Sequence, residues 1–153
     1  MDIPLRDLAK DLAEGRTTAR EVAESCLAQL KGQEQDVEAW VPFDHSPALA
    51  RAEGCVAGGP LSGIPFGVKD IYDTAELPTE WGSEVYQGRQ PQTDAALVAE
   101  LKQLGAYVLG KTETTAFAFY DPAPTRNPHN LGHTPGGSSS GSAAAVAAGI
   151  ARM

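Results

Sequence analysis

Cysteine is scarce in this sequence. Cys26 and Cys55 are the only two in 153 residues, too few for a disulfide framework and in keeping with a reducing compartment. Long apolar runs are missing as well, so no segment has the length of a bilayer span. The N-terminus, MDIPLRDLAKDLAEG, is charged and amphipathic and lacks the apolar stretch of a secretory signal. These absences predict a cytoplasmic protein with no membrane partner. Positive charge is also short, with 12 Lys and Arg against 20 Asp and Glu; the formal net charge of −8 repels phosphate backbones and disfavours direct nucleic-acid binding. No internal repeat is evident. What remains has the balance of a globular chain, and 153 residues suit one core.

The periodicity predicts an α/β order of elements. Asp2 and Pro4 open a helix carrying Leu5, Leu8 and Leu12 on one face, and Gly15 stops it. Thr18 and Glu21 have capping-box spacing before a second helix with Val22, Cys26 and Leu30 in a stripe, ended at Gly32. Ala39 to Phe43 reads as a short strand, and Ser46 with Pro47 starts a brief helix closed by Gly54. Pro65 to Ile71 is a strand by its apolar, β-branched content. Residues 75–92 read as an ordered surface loop. Thr93 is expected to cap a helix that turns Ala96, Leu97, Leu101 and Leu104 to the core, with Tyr107 to Leu109 as the next strand. Strand, helix and strand at this spacing form a βαβ unit with parallel strands. A helical turn is expected to carry Phe117 and Phe119, and Phe117, Phe119 and Tyr120 are expected either to line a pocket or, as the favoured use, to pack in the core.

The stretch TPGGSSSGSAAAVAAG, Thr134 to Gly149, admits two readings that the local sequence leaves open. Gly and Ser make flexible linkers. Yet SAAAVAAG is a strong helix former that Ser140 or Ser142 can cap, and a Gly/Ser loop entering a helix can bring backbone close to a ligand. Gly136 and Gly141 have the spacing of a phosphate-binding loop, but Ser142 stands where that motif needs lysine. Lys69, in FGVKDI beside Asp70, is either a strand-edge surface lysine or a desolvated one able to act as a neutral base. His129 and His133 stand four apart in a Pro/Gly loop without nearby cysteine, which favours loop structure over a metal site. Cys26, on an apolar stripe, is expected in the core.

Three blocks carry a resemblance: GIPFGVKDIYDT at Gly63 to Thr74, GKTETTAFAF at Gly110 to Phe119, and TRNPHNLGHTPGGSSSGSAAAVAAG at Thr125 to Gly149. In this order they resemble the amidase signature family, whose fold is a mixed β-sheet surrounded by helices. The resemblance implies hydrolysis of a carboxylic amide to acid and ammonia or amine through an acyl-serine intermediate, with a small-molecule amide as partner and no metal or organic cofactor. It implies a Ser, cis-Ser, Lys triad in which Lys69 is the general base and Ser138, preceded by a cis peptide, is the proton relay. Ser140 departs from the glycine that many relatives have there.

In that family the nucleophilic serine follows the cis-serine by roughly two dozen residues, in a turn that also forms the oxyanion hole. Residues 1–153 therefore read as the N-terminal portion of one amidase signature domain, with the nucleophile beyond Met153. A piece of this kind is expected to be inactive alone and to self-associate, since sheet edges would stand uncovered. Two alternatives accompany the stand-alone amidase. One is the A subunit of a Glu-tRNA(Gln) or Asp-tRNA(Asn) amidotransferase, ranked second because PHNLGHTPGGSSSGS looks more like the stand-alone enzymes. The other is a non-catalytic, truncated binding module.

Overall fold

A computed structural model describes residues 3–42 and 44–153. Helix α1 (Leu5–Ala13) follows Pro4 and stops at Gly15, whose φ of 68° belongs to the left-handed region; Asp2 lies outside the described residues. Helix α2 (Ala19–Val37) starts on the expected capping box, Glu21 N–H donating to Thr18 Oγ1 over 3.2 Å and Thr18 N–H to Glu21 Oε2 over 2.8 Å. It does not stop at Gly32. A glycine inside a helix costs about 1 kcal/mol, whereas continuing to Val37 buries that side chain against Leu30 and Trp40 in the same core, an effect of about 1.5–3 kcal/mol. Burial outweighs propensity.

Helix α3 (Pro47–Glu53) has the expected proline in its first turn. The expected strand at Ala39 to Phe43 is reduced to one antiparallel bridge, Trp40 opposite Thr112; Phe43 lies outside the described residues. Strands β1 (Pro65–Lys69) and β2 (Tyr107–Thr112) are parallel and joined through helix α4 (Ala96–Gln103), so the βαβ unit stands as read. The loop at 75–92 contains a 3₁₀ turn at Glu84–Tyr86. Thr93 does not cap α4. Ala95 is the cap residue, and the helix entry is held instead by Ala95 N–H donating to Asp73 O and Ala75 N–H to Asp94 Oδ1. The buried face is also turned from expectation, with Val98 2% exposed and Leu97 50%.

Paired residues of neighbouring strands share a face. Phe66, Val68 and Val108 pack with Leu77 and Val98 on the α4 side. Ile64 and Leu109 pack with Leu8, Val22, Cys26 and Leu30 of α1 and α2, and with Ala144 and Ala145 of helix α5 (Ser140–Ala147), on the other. The sheet is sandwiched by helices. Register slips by one residue between Phe66 and Gly67, so that Phe66 opposes Val108 but Gly67 opposes Gly110. Had the first offset continued, Lys69 would oppose Lys111. The slip instead puts Thr112 opposite Lys69 and Lys111 opposite Val68, which sends the two lysines to different faces.

Candidate active site

Lys69 is the last residue of β1 and Thr112 the last of β2, so both stand at the carboxyl ends of parallel strands, the end at which open α/β sheets carry their ligands. The loop before α5 lies over this end. Lys69 Nζ donates to Ser138 Oγ over 2.6 Å. The structure thus brings together both residues picked from the sequence. Lys69 is half-buried, and desolvation pulls its ammonium below the ordinary lysine value.

The Gly/Ser loop is fixed, not a floppy linker. Ser138 O accepts from Thr115 N–H over 3.1 Å, and the Thr114 hydroxyl lies 3.1 Å from the same oxygen and 3.2 Å from Thr115 O, its single proton serving one at a time. Gly141 N–H donates to Glu113 O over 3.0 Å, and Glu113 N–H to Ala39 O over 2.9 Å. Ser140 Oγ donates to Gly136 O, and the hydroxyls of Ser142 and Thr112 meet at 2.7 Å. Neither Ser140 nor Ser142 caps α5, because both hydroxyls are engaged in these tethers; Ser139 is the cap residue, without a side-chain cap bond. The Gly137–Ser138 peptide is cis, and Gly136 has a φ of 90°. Gly137 must be small: a Cβ there would stand 2.9 Å from Thr115 Cγ2.

Behind Lys69 lies a second lysine that the sequence motifs do not single out. Lys111 is fully buried, its three protons aimed at Tyr72 O, Pro78 O and Thr79 Oγ1, with Asp70 Oδ1 2.9 Å from Nζ as a charge contact. Asp70 Oδ2 accepts from Glu80 N–H and Gly82 N–H. Burial pulls the Lys111 ammonium down while Asp70 pushes it up. This knot fastens the segment after β1 to β2. Its signal in the sequence is a lysine within the apolar strand β2 and a carboxylate directly after β1.

Phe117, Phe119 and Tyr120 are not core residues. Their exposures are 51%, 71% and 85%, and they stand on and after a 3₁₀ turn at Ala116–Ala118 in which Phe117 and Ala118 have φ of 54° and 56°. Cys26 is core, as expected. His129 and His133 lie in a turn closed by Asn127 N–H to His133 O and His133 N–H to Asn130 O. Among the described residues no group of three His, Cys, Asp or Glu gathers closely enough to hold a metal ion, and no helix is long and apolar enough to cross a membrane.

Comparison with known proteins places this chain in a family. The A subunit of the glutamyl-tRNA(Gln) amidotransferase of Lachnospira eligens is 38% identical over 161 residues, covering 97% of this chain and 34% of that protein. The structure of a peptide amidase in complex with the inhibitor chymostatin superposes with a TM-score of 0.90 at 32% identity, over 98% of this chain and 35% of that one. The A subunit of the corresponding amidotransferase of Thermotoga maritima gives 0.79 at 28% identity, over 98% and 32%. The chain spans about a third of the length of these relatives. The family model described as Amidase matches residues 21–153, and with most of the sequence under that match the chain belongs to the amidase family.

Proposed function

We propose that Lys69 and Ser138 are the base and relay of a serine-dependent amide hydrolysis. The contact between Lys69 Nζ and Ser138 Oγ at 2.6 Å carries this reading. When Lys69 is neutral the bond reverses, the Ser138 hydroxyl donating to Nζ. Ser138 Oγ is then free to take the proton of an attacking hydroxyl as its own proton passes to lysine. Desolvation of Lys69 raises the neutral fraction near neutral pH. The attacking serine, which the resemblance puts roughly two dozen residues after Ser138, adds to the amide carbon and expels ammonia or amine; water then releases the acid.

In the protein containing these residues and the attacking serine, Lys69→Ala and Ser138→Ala are each expected to lower kcat by about 10²–10⁴ with KM little changed. In the parent enzyme kcat/KM should rise with pH as Lys69 loses its proton, along a limb that Lys69→Ala removes. Undiminished hydrolysis by Lys69→Ala would overturn the assignment.

A second reading is favoured by the amidotransferase relatives. In it the same pair releases ammonia from glutamine for use by a second protein. Co-purification with partner proteins, together with a preference for glutamine over simple carboxamides, would support this reading over the first.

A further inference from the structure

Lys111 takes no part in the hydrolytic reading, yet it is fully buried and stands opposite Val68, the residue before Lys69, on the other face of the sheet. A buried ion pair is often no more stable than apolar side chains of the same volume, so stability alone does not account for a lysine there. What an ammonium supplies and an apolar chain cannot is direction, because its three protons fix acceptors in space. Here the acceptors are Tyr72 O, Pro78 O and Thr79 Oγ1, with Asp70 Oδ1 2.9 Å away as the counter-charge. Asp70 and Tyr72 belong to the turn that leaves β1 at Lys69. Ile71 N–H and Tyr72 N–H both donate to Lys69 O, over 2.7 and 3.0 Å, and the Thr79 hydroxyl donates to Tyr72 O over 3.2 Å. Asp70 N–H donates to Thr112 O, and Asp70 O accepts from Trp81 N–H. The backbone after Lys69 is thus fastened to atoms grouped around Lys111. The Lys69 side chain itself makes one hydrogen bond among the described residues, that to Ser138.

We propose that Lys111, clamped by Asp70, is a positioning residue that fixes the turn from which Lys69 reaches Ser138. The proposal rests on the reading of Lys69 and Ser138 as base and relay, and adds a second lysine that acts on the first through the backbone, without touching the reacting atoms. Loss of the clamp frees residues 69–72 to shift, and a displacement of about 1 Å at a reacting group lowers the rate by about a hundredfold. The pair of Lys111 and Asp70 is neutral as a whole. It therefore holds the turn without adding net charge beside a base whose proton must leave.

The test is a pH titration of the chain isotopically labelled at lysine Cε, which reads without turnover how far Lys69 is desolvated and whether it touches Ser138. In the parent, Lys69 should lose its proton below the ordinary lysine value of about 10.4, and Ser138→Ala should displace its Cε resonance. The Asp70→Asn, Lys111→Met double variant removes one charge of each sign. In it the Lys69 midpoint should rise by about one pH unit, and the response to Ser138→Ala should vanish. Thr79→Val keeps both charges and removes one acceptor, so it should raise the midpoint by a smaller amount, and it supplies the measurement if the double variant does not fold. Lys102→Met breaks the outlying contacts to Glu76 and Asp94 and should leave the midpoint in place. Lys69 titrating as in the parent in the folded double variant or in Thr79→Val, or an equal rise in Lys102→Met, would overturn the proposal. Should Ser138→Ala leave the parent's Lys69 resonance unmoved, the relay reading fails, and the midpoints still decide the positioning role.

Discussion

Two lysines on neighbouring strands meet opposite fates, and the difference is one of partners. Lys69 has a serine hydroxyl and partial exposure; Lys111 has Asp70, two carbonyls, a threonine and no exposure. Removing one member of a buried ion pair strands the other without water, which costs about 3–5 kcal/mol. Lys111→Met is therefore expected to lower unfolding free energy by that amount in urea titration, and Asp70→Asn by a comparable one. Because each single change leaves an orphan and the double change leaves none, the Asp70→Asn, Lys111→Met double variant should be more stable than the sum of the singles predicts. Additive losses, or a Lys111→Met chain within about 1 kcal/mol of the parent, would show that the contact is energetically idle. At this scale Lys69 and Ser138 are legible, since GVKD and GGSS mark them in the sequence. The hydroxyls of Thr112, Thr114 and Ser142 are not. Their work depends on a distant loop folding back onto the end of β2, and no local spacing encodes that.

At the level of elements, legibility follows the balance between local and tertiary forces. The capping box of α2 and the βαβ order depend on neighbours in sequence and stand as read. The end of α2, the entry to α4 and the inward face of α4 depart from the sequence reading because burial of Val37, the bond from Ala95 to Asp73, and packing of Val98 override local signals. Glycines in two helices make this contrast measurable. A Cβ on Gly141, in the first turn of α5, would stand 2.2 Å from Ala39 O and 2.3 Å from Glu113 N, both backbone atoms that cannot swing aside. Gly141→Ala should destabilise by about 1–3 kcal/mol or more and should broaden the resonances of the Ser138 loop. A Cβ on Gly32 in α2 meets nothing within 4 Å, so Gly32→Ala should stabilise by about 0.5–1 kcal/mol. Thermal unfolding of the two variants should thus move in opposite directions. Movement in the same direction would mean that helix propensity, and not the close approach of α5 to β2, governs both positions.

Across the whole molecule the excess of acidic residues has a structural focus at Glu113, where β2 gives way to the threonines that hold the serine loop. Burial, and then the charges of Asp70, Glu34, Glu38 and Glu80, push the Glu113 carboxyl up from 4.5 to about 7. Burial raises Glu34 as well. A carboxyl whose folded value exceeds its unfolded value binds more protons in the folded state, so its favourable contribution is complete below about pH 4.5 and is lost as pH rises toward 7. Glu113→Gln, which keeps the volume and removes the titration, should therefore be more stable than the parent at about pH 8, and the two should converge as pH falls to 4.5. Urea unfolding of both chains at closely spaced pH values across that window measures the difference directly, with the other acidic groups cancelling between them. Parallel stability curves would mean that Glu113 keeps an ordinary carboxylate in the folded chain and that the loop over Ser138 is insensitive to the charge beneath it. A difference that opens between 4.5 and about 7 would instead couple the setting of the serine loop to rising pH.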